Sequence, residues 1–306
     1  MMYISLQDIE EALLKSGYIS NSKITQTLFV ASVCDRPILI EGAPGVGKTS
    51  VAKALADGLG IPFIRIQMYE GLTVDQILYD YDYQRQLLTL EAIRPILEKE
   101  FSGMTSNEAL KKILKEVDFY GEDFLINRLV LKSIKMKGPK ILLFDEIDKA
   151  PEEIEYMLYE FLENNSISIP QYGEIVCSEE DKPFVFLTSN NYRELSGALK
   201  RRCNYLFIDP KTKEEIIEIL IVKAKVEEKI AEGIARCLCL MQDANLKQTP
   251  SISEAIEFAT FLNLTKNQDI TKDFIINSLG ILIKNRRDED KITEIVSQNG
   301  EILWKM

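Results

Sequence analysis

Histidine is absent from the 306 residues of this sequence. Its absence removes the commonest general base, the serine and cysteine triads that depend on that base, and most zinc sites. Any reaction that the chain catalyses must therefore use carboxylates, amides and cations.

Cysteine is scarce and scattered. The sequence has five cysteines, an odd number, and none of them stands in the C-x-x-C spacing of a zinc or redox site. Cysteines of this kind are usually buried as free thiols. We therefore expect buried, unpaired side chains at Cys34, Cys177, Cys203, Cys237 and Cys239.

Long apolar runs and an excess of positive charge are also missing. No run approaches the roughly 18 apolar residues that cross a bilayer, and the first residues lack the basic and apolar regions of a leader. We therefore expect a cytoplasmic protein without a membrane span. The net charge of -11 disfavours nucleic acid as a partner, although the composition leaves room for a local basic patch.

Short apolar runs separated by helical patterns indicate an α/β fold. A pattern that begins at Ser5 and Asp8 predicts a capped N-terminal helix, and residues 165–177 have the alternation and turn of a β-hairpin. Because helical segments separate the longer runs, we expect a five-stranded, mostly parallel sheet. The predicted strands lie at residues 37–41, 62–67, 140–145, 183–189 and 204–208.

The pattern changes near residue 209. Helical patterns continue from there to the end of the chain, and capping boxes begin at Thr212 and Ser251. We predict an α/β nucleotide-binding domain over residues 1–209 and a helical lid domain over residues 210–306.

One connection inside the first domain is unusually long. Residues 71–139 exceed a simple link between two strands. We interpret them as an insertion on one face of the sheet. Helix-like patterns in it cover residues 91–101, 107–117 and 122–136.

A glycine-rich loop joins the first predicted strand to the next helix. Residues 42–49 fit G-x-x-x-x-G-K-[ST], in which backbone N–H groups cradle phosphates at a helix N-terminus. We call them the phosphate loop. Lys48 would reach the β- and γ-phosphates of ATP, and the Thr49 hydroxyl would bind Mg²⁺. The predicted nucleotide-binding residues are Gly42, Ala43, Pro44, Gly45, Val46, Gly47, Lys48, Thr49, Ser50 and Asp145.

An acidic pair follows the third predicted strand. Asp145 can hold the water shell of Mg²⁺, so Thr49 and Asp145 form the predicted metal site. Glu146 can accept the proton of an attacking water. An isolated acidic pair would be equally well explained as a surface turn, but behind a phosphate loop it is a Walker B pattern.

Three further polar residues are candidates for catalysis. Asn190 follows the fourth strand, where its amide could hydrogen-bond the lytic water and the γ-phosphate. Arg201 and Arg202 precede the last strand, a position better suited to a neighbouring subunit's γ-phosphate than to their own. A turn asparagine and a solvated basic turn are the simpler alternatives.

The order of these motifs resembles that of the AAA+ ATPases. The sequence between the motifs is similar to that of the MoxR family, in particular its CoxD-type branch. The resemblance runs from about residue 36 to residue 210. It implies that Asn190 is sensor 1 and that Arg202 is an arginine finger with Arg201 beside it. It also implies a hexameric ring of identical chains, a von Willebrand factor A partner, and a client protein or metalloenzyme to remodel or mature.

Two stretches depart from the MoxR pattern. Many members have a sensor 2 arginine at the start of a lid helix, whereas this chain reads TPSISEAIEF from Thr249. The connection over residues 90–120 is also longer than is usual in the family.

The favoured function is an ATP-driven remodelling ATPase. A P-loop kinase for a small molecule would need neither Glu146 nor Asn190, nor the arginine pair. A DNA-handling AAA+ motor is disfavoured by the acidic composition, although a ring can keep a basic pore inside an acidic shell. GTP is not expected, because no strand is followed by the Asn-Lys-x-Asp motif that reads guanine.

Overall fold

The computed structural model describes residues 4–100, 105, 108, 117–244, 246–265 and 276–303. The predicted helical pattern over 107–117 therefore lies almost wholly outside the described residues. The elements up to the acidic pair are α1 (Leu6–Lys15), α2 (Ser22–Cys34), β1 (Ile38–Glu41), α3 (Lys48–Leu59), β2 (Phe63–Gln67), α4 (Val74–Ile77), β3 (Tyr79–Tyr81), α5 (Tyr83–Glu100), β4 (Leu125–Asn127), α6 (Leu129–Lys135) and β5 (Ile141–Asp145).

The second half of the chain is mainly helical. Its elements are α7 (Glu152–Asn164), β6 (Ser166–Ile169), β7 (Gly173–Val176), β8 (Phe184–Ser189), α8 (Gly197–Arg202), β9 (Asn204–Phe207), α9 (Lys213–Ala224), α10 (Glu228–Asp243), α11 (Ile252–Thr265) and α12 (Arg286–Leu303).

The central sheet has five strands in the order β2-β5-β8-β1-β9, and each neighbouring pair is parallel. All five predicted strands are confirmed, and the sheet is parallel throughout instead of mostly so. Parallel strands end at one edge, so the phosphate loop after β1, the acidic pair at the end of β5 and the turn after β8 are brought together.

Apolar side chains cover both faces of the sheet. Along β5, Leu142 and Phe144 pack into one core with α6 and α7, while Ile141 and Leu143 pack into a second core with α1, α2 and α3. This alternation explains why the sequence of β5 is a nearly continuous apolar run, as is usual for a strand buried on both sides.

The last part of the chain has its own core. Helices α9, α10, α11 and α12 contribute buried residues to a third apolar cluster. The predicted capping boxes are present at Thr212 and Ser251, each of which exchanges hydrogen bonds with the glutamate three residues later. The α/β fold with a helical C-terminal part is confirmed, and the division into two domains at residue 209 stays a prediction.

The predictions within residues 71–139 were less accurate. The helix expected over residues 91–101 starts at Tyr83, eight residues earlier. The helix expected over residues 122–136 is wrong, because a 3₁₀ turn and strand β4 occupy its first half and only α6 is helical. Strand β4 pairs antiparallel with β3, a contact between distant residues that helical periodicity does not reveal.

The hairpin and the N-terminal cap follow the sequence pattern. Strands β6 and β7 pair antiparallel, and Ser5 and Asp8 form the capping box of α1. None of the five cysteines, all of which lie in the described part of the chain, forms a disulfide. The expectation that all are buried is wrong, because Cys34 is exposed at the end of α2 and Cys239 is half-buried. No helix in the described ranges is long and apolar enough to cross a membrane.

Helices α1 and α3 cross at Gly58. A methyl group there would overlap the carbonyl oxygen of Ala12. We expect Gly58→Ala to lower the free energy of unfolding by about 1–3 kcal/mol, because α1 and α3 would have to move apart to make room for the methyl group. This cost should exceed the gain from the higher helix propensity of alanine. Urea unfolding measures the change. Gly197→Ala is the control, since nothing lies near that helical position and its effect should stay within about 1 kcal/mol. A more stable Gly58→Ala protein would contradict the close crossing.

Candidate nucleotide-binding site

The phosphate loop takes its shape from glycines. A side chain at Gly42 would meet the carbonyl oxygen of Ile208, and one at Gly45 would overlap Ser251. Gly47 has a positive φ of 95° and caps α3, which begins at Lys48. The first N–H groups of α3 therefore have no partner within their helix and are available to an anion held by the loop.

Lys48 is folded against the loop. Its Nζ atom donates hydrogen bonds of 2.8 Å to the carbonyl oxygens of Gly42 and Ala43, and the residue is buried. Burial lowers the pKa of Lys48, while the nearby carboxylates, led by Asp148, act to raise it. The ammonium is held at the mouth of the loop, where a phosphate would be its natural partner.

Asp145 lies at the centre of the polar cluster and is only 2% exposed. Its Oδ1 atom accepts a hydrogen bond of 2.8 Å from the Thr49 hydroxyl and another from Thr188. Its Oδ2 atom accepts from Arg65 Nε at 2.8 Å. The structure thus brings together the two residues predicted to serve Mg²⁺.

Glu146 follows in a left-handed conformation, with a φ of 60°. Its Oε1 atom accepts a hydrogen bond of 2.9 Å from Asn190 Nδ2. Its Oε2 atom accepts from Gln67 Nε2 at 2.9 Å and from Lys149 Nζ at 2.8 Å. Two predicted catalytic residues from different strand ends are therefore in direct contact.

Asp148 fixes the turn that carries Asn190. Its buried Oδ2 atom accepts the backbone N–H groups of Asn190 at 3.0 Å and of Tyr192 at 2.8 Å. No sequence motif singles out the other polar residues of this cluster, which are Asp148, Arg65, Gln67, Lys149 and Thr188. An available signal was the period of β2, in which Arg65 and Gln67 alternate with apolar residues and so share one side of the strand.

The two arginines lie elsewhere. Arg202 Nε and Nη2 donate to Glu163 Oε2 at 3.2 and 2.8 Å, and Arg201 is exposed. Among the described residues, no hydrogen bond or ion pair joins either arginine to the phosphate loop. The structure therefore does not bring Arg201 and Arg202 to the site of their own chain.

A cleft opens between the phosphate loop with its neighbouring polar residues and the helical C-terminal part of the chain. Beside it, an apolar pocket is lined by Tyr18, Val46, Ile252 and Ile256, among others. The polar cleft suits the phosphates of a nucleotide and Mg²⁺, and the apolar pocket suits the ring of its nucleobase. The cleft is lined by Pro44, Gly45, Gly47, Lys48, Thr49, Ser50, Asp145, Glu146, Thr188, Asn190 and Ser253.

Binding of Mg²⁺ at this site would require the phosphates of the nucleotide. Over the described residues, no group of three or more acidic or cysteine side chains is arranged to hold a metal ion alone. The hydroxyl of Thr49 and the carboxylate of Asp145 supply oxygen ligands of the kind that Mg²⁺ takes, usually together with water and substrate phosphates. The residues present therefore fit a Mg²⁺ ion that arrives with ATP.

Comparison with known proteins agrees with this geometry. Residues 37–203 match the family model described as AAA domain (dynein-related subfamily). The ATP-dependent protease ATPase subunit HslU of Persephonella marina is 28% identical over 126 residues, and that of Oceanobacillus iheyensis is 31% identical over 119 residues. These alignments cover 41% and 38% of this chain but only 26% and 24% of the relatives.

The solved structures that match include the RuvB Holliday junction branch migration motor of Thermotoga maritima. It is 18% identical, with a TM-score of 0.46, and the match covers 98% of this chain and 77% of that one. The family model confirms the expected AAA domain, and the relatives are themselves ATPase subunits of ATP-dependent proteases, which agrees with the expected ATPase class. Because the family model spans more than half of the sequence, this chain belongs to the AAA domain family, dynein-related subfamily.

Proposed function

We propose that this chain is a remodelling ATPase of the MoxR type, which couples ATP hydrolysis to work on a client protein. The observation that carries the proposal is the hydrogen bond between Glu146 and Asn190 beside the phosphate loop. A phosphate-binding module that only held a nucleotide would not need a carboxylate and an amide aimed at the same position.

Each residue has a distinct role in the proposal. Lys48 turns from the loop carbonyls to the β- and γ-phosphates, and Thr49 and Asp145 hold the metal. Bound Mg²⁺ supplies charge that neutralises the phosphate oxygens. Glu146 accepts the proton of the attacking water while Asn190 orients that water.

The contacts of Glu146 support its role as the base. Because Gln67, Lys149 and Asn190 hold both of its oxygens, the carboxylate has a fixed orientation in this structure. At least one of these contacts must loosen when a water binds to it. Asp148 keeps the Asn190 turn in place during that change.

We further propose that the active assembly is a ring, as in the hexamers implied by the family resemblance. Arg202, with Arg201 beside it, would then reach the γ-phosphate of the next subunit. The position of Arg202 on α8, away from the phosphate loop of its own chain, supports this arrangement. Cysteines that form no disulfide are compatible with the reducing cytoplasm, where we place the ring.

The proposal also covers the partner and the client of this ATPase. The MoxR resemblance suggests a von Willebrand factor A protein as partner and a metalloenzyme or other protein as client. A pull-down from the native cell with the tagged chain tests this. Recovery of a von Willebrand factor A protein is the expected result, whereas recovery of DNA-processing proteins would favour the alternative of a DNA-handling motor.

Loss of the phosphate-loop lysine tests the nucleotide site itself. We expect Lys48→Ala to weaken ATP binding by about 10- to 150-fold, because a charge-assisted contact to phosphate contributes about 1.5–3 kcal/mol. Calorimetry with ATP and Mg²⁺ measures the affinity. Lys53→Ala, an exposed lysine on the same helix, is the matched control and should bind ATP normally. Equal affinities for the two variants would refute the role of Lys48.

A further inference from the structure

Helix α7 presents a stripe of three residues to helix α8. Glu155, Tyr159 and Glu163 are spaced four residues apart, so they follow one another along the same face of α7. Each of them contacts α8 or the segment that leads into it. We call these three residues the α7 stripe.

The first member of the stripe holds the start of α8. Glu155 is 1% exposed, and its Oε1 atom lies 2.5 Å from Nη1 of Arg193 in an ion pair. Its Oε2 atom accepts the backbone N–H of Ser196 at 3.2 Å. Ser196 is the N-cap of α8 and accepts the N–H of Leu199. A buried carboxylate thus fixes the point where α8 begins.

The other two members extend the attachment along α8. The hydroxyl of Tyr159 lies 2.5 Å from the Ser196 hydroxyl. The guanidinium of Arg202 lies over the Tyr159 ring, 4.7 Å from its centre, and donates to Glu163 Oε2. Tyr159 therefore contacts both ends of the short helix, and Glu163 holds its last residue.

Arg202 keeps spare donors in this arrangement. An arginine has five N–H donors. Nε and one N–H of Nη2 bond to Glu163, and one N–H of Nη1 donates to Ala198 O at 3.1 Å. Two donors remain, which is enough for a bidentate contact with a phosphate. The stripe can thus fix the guanidinium without using up its capacity to bind.

We propose that Glu155, Tyr159 and Glu163 are positioning residues that set the angle at which Arg202 meets the neighbouring subunit's nucleotide. This inference rests on the proposed shared site. The stripe also contacts the segment that carries Asn190. Arg193, which pairs with Glu155, follows Asn190 by three residues in the segment between β8 and α8.

Mixed assemblies test the proposal separately from the shared site. The parent mixture combines Lys48→Ala chains, which supply only Arg202, with Arg202→Ala chains, which supply only the phosphate loop. Tyr159→Leu and Glu163→Ala are then added to the Lys48→Ala chain. We expect the ATPase rate of the mixture to fall about 10- to 100-fold, the cost of a small misplacement of a catalytic group. Glu155→Gln should lower it by a smaller factor.

The reciprocal mixture excludes a general folding defect. When Tyr159→Leu and Glu163→Ala are placed in the Arg202→Ala chain instead, the rate should equal that of the parent mixture, because the α8 of that chain is not used. Glu153→Ala, an exposed residue of α7 outside the stripe, should have no effect in the Lys48→Ala chain. Equal losses in both arrangements, or no loss in either, would overturn the positioning role. An inactive parent mixture would overturn the shared site, and this inference with it.

Discussion

Glu146→Gln is expected to bind ATP with unchanged affinity and to hydrolyse it about 10²- to 10⁴-fold more slowly, the usual contribution of a general base. Glutamine keeps the shape of the side chain, and its oxygen can still accept a hydrogen bond from Asn190, Gln67 or Lys149. It cannot accept the proton of the attacking water at neutral pH. The site should therefore stay assembled and fill with ATP that is not consumed.

Two measurements check this expectation. Calorimetry gives the ATP affinity, and steady-state phosphate release gives the rate. Glu152→Gln, an exposed glutamate at the start of α7, is the matched control for the loss of one carboxylate and should hydrolyse ATP normally. If Glu146→Gln keeps its hydrolysis, another residue is the base.

Arg202→Ala is expected to leave ATP binding nearly intact and to lower hydrolysis by about 10³-fold or more, the range seen for arginine fingers supplied by a neighbour. The physical reason is that Arg202 contacts Glu163 and the Tyr159 ring, not the phosphate loop of its own chain. Its loss should leave that loop unchanged and remove positive charge only from the junction between subunits.

Arg201→Ala is the comparison for Arg202→Ala. Arg201 is the preceding residue on α8 and is more exposed, so we expect a smaller loss of rate when it is replaced. The same two assays apply to both variants. A weaker affinity for ATP in Arg202→Ala would show that this arginine serves its own nucleotide, and an equal loss of rate in both variants would assign no special role to Arg202.

The sheet and the centre of the site could be predicted because local signals are strong there. Strands β1, β5 and β8 are short, nearly continuous apolar runs, and the glycines, Lys48 and Thr49 stand at fixed offsets after β1. Parallel strands end at a common edge, so Asp145, Glu146 and Asn190 had to meet near that loop. The contacts that could be predicted are therefore those between residues at the carboxyl ends of the parallel strands.

Other features depend on contacts that no local pattern reveals. Arg65 and Gln67 reach the acidic pair because β2 is hydrogen-bonded to β5, and the strand order is not visible in the sequence. The antiparallel pair β3 and β4 joins residues more than 40 positions apart, so the helical pattern over its second strand was misleading. The α7 stripe has helical spacing, but its partner helix could be known only from the packing of α7 against α8.

The measurement that tests the shared site most directly is the ATPase rate of Lys48→Ala and Arg202→Ala chains mixed over a range of ratios. Each variant should be nearly inactive alone, since one lacks the phosphate contact and the other lacks the trans arginine. In a mixed ring, some junctions pair an intact phosphate loop with an intact Arg202, so the rate should rise to a maximum at an intermediate ratio. Native mass spectrometry confirms that the chains assemble together. Confirmed mixed rings with no recovered activity would contradict the account.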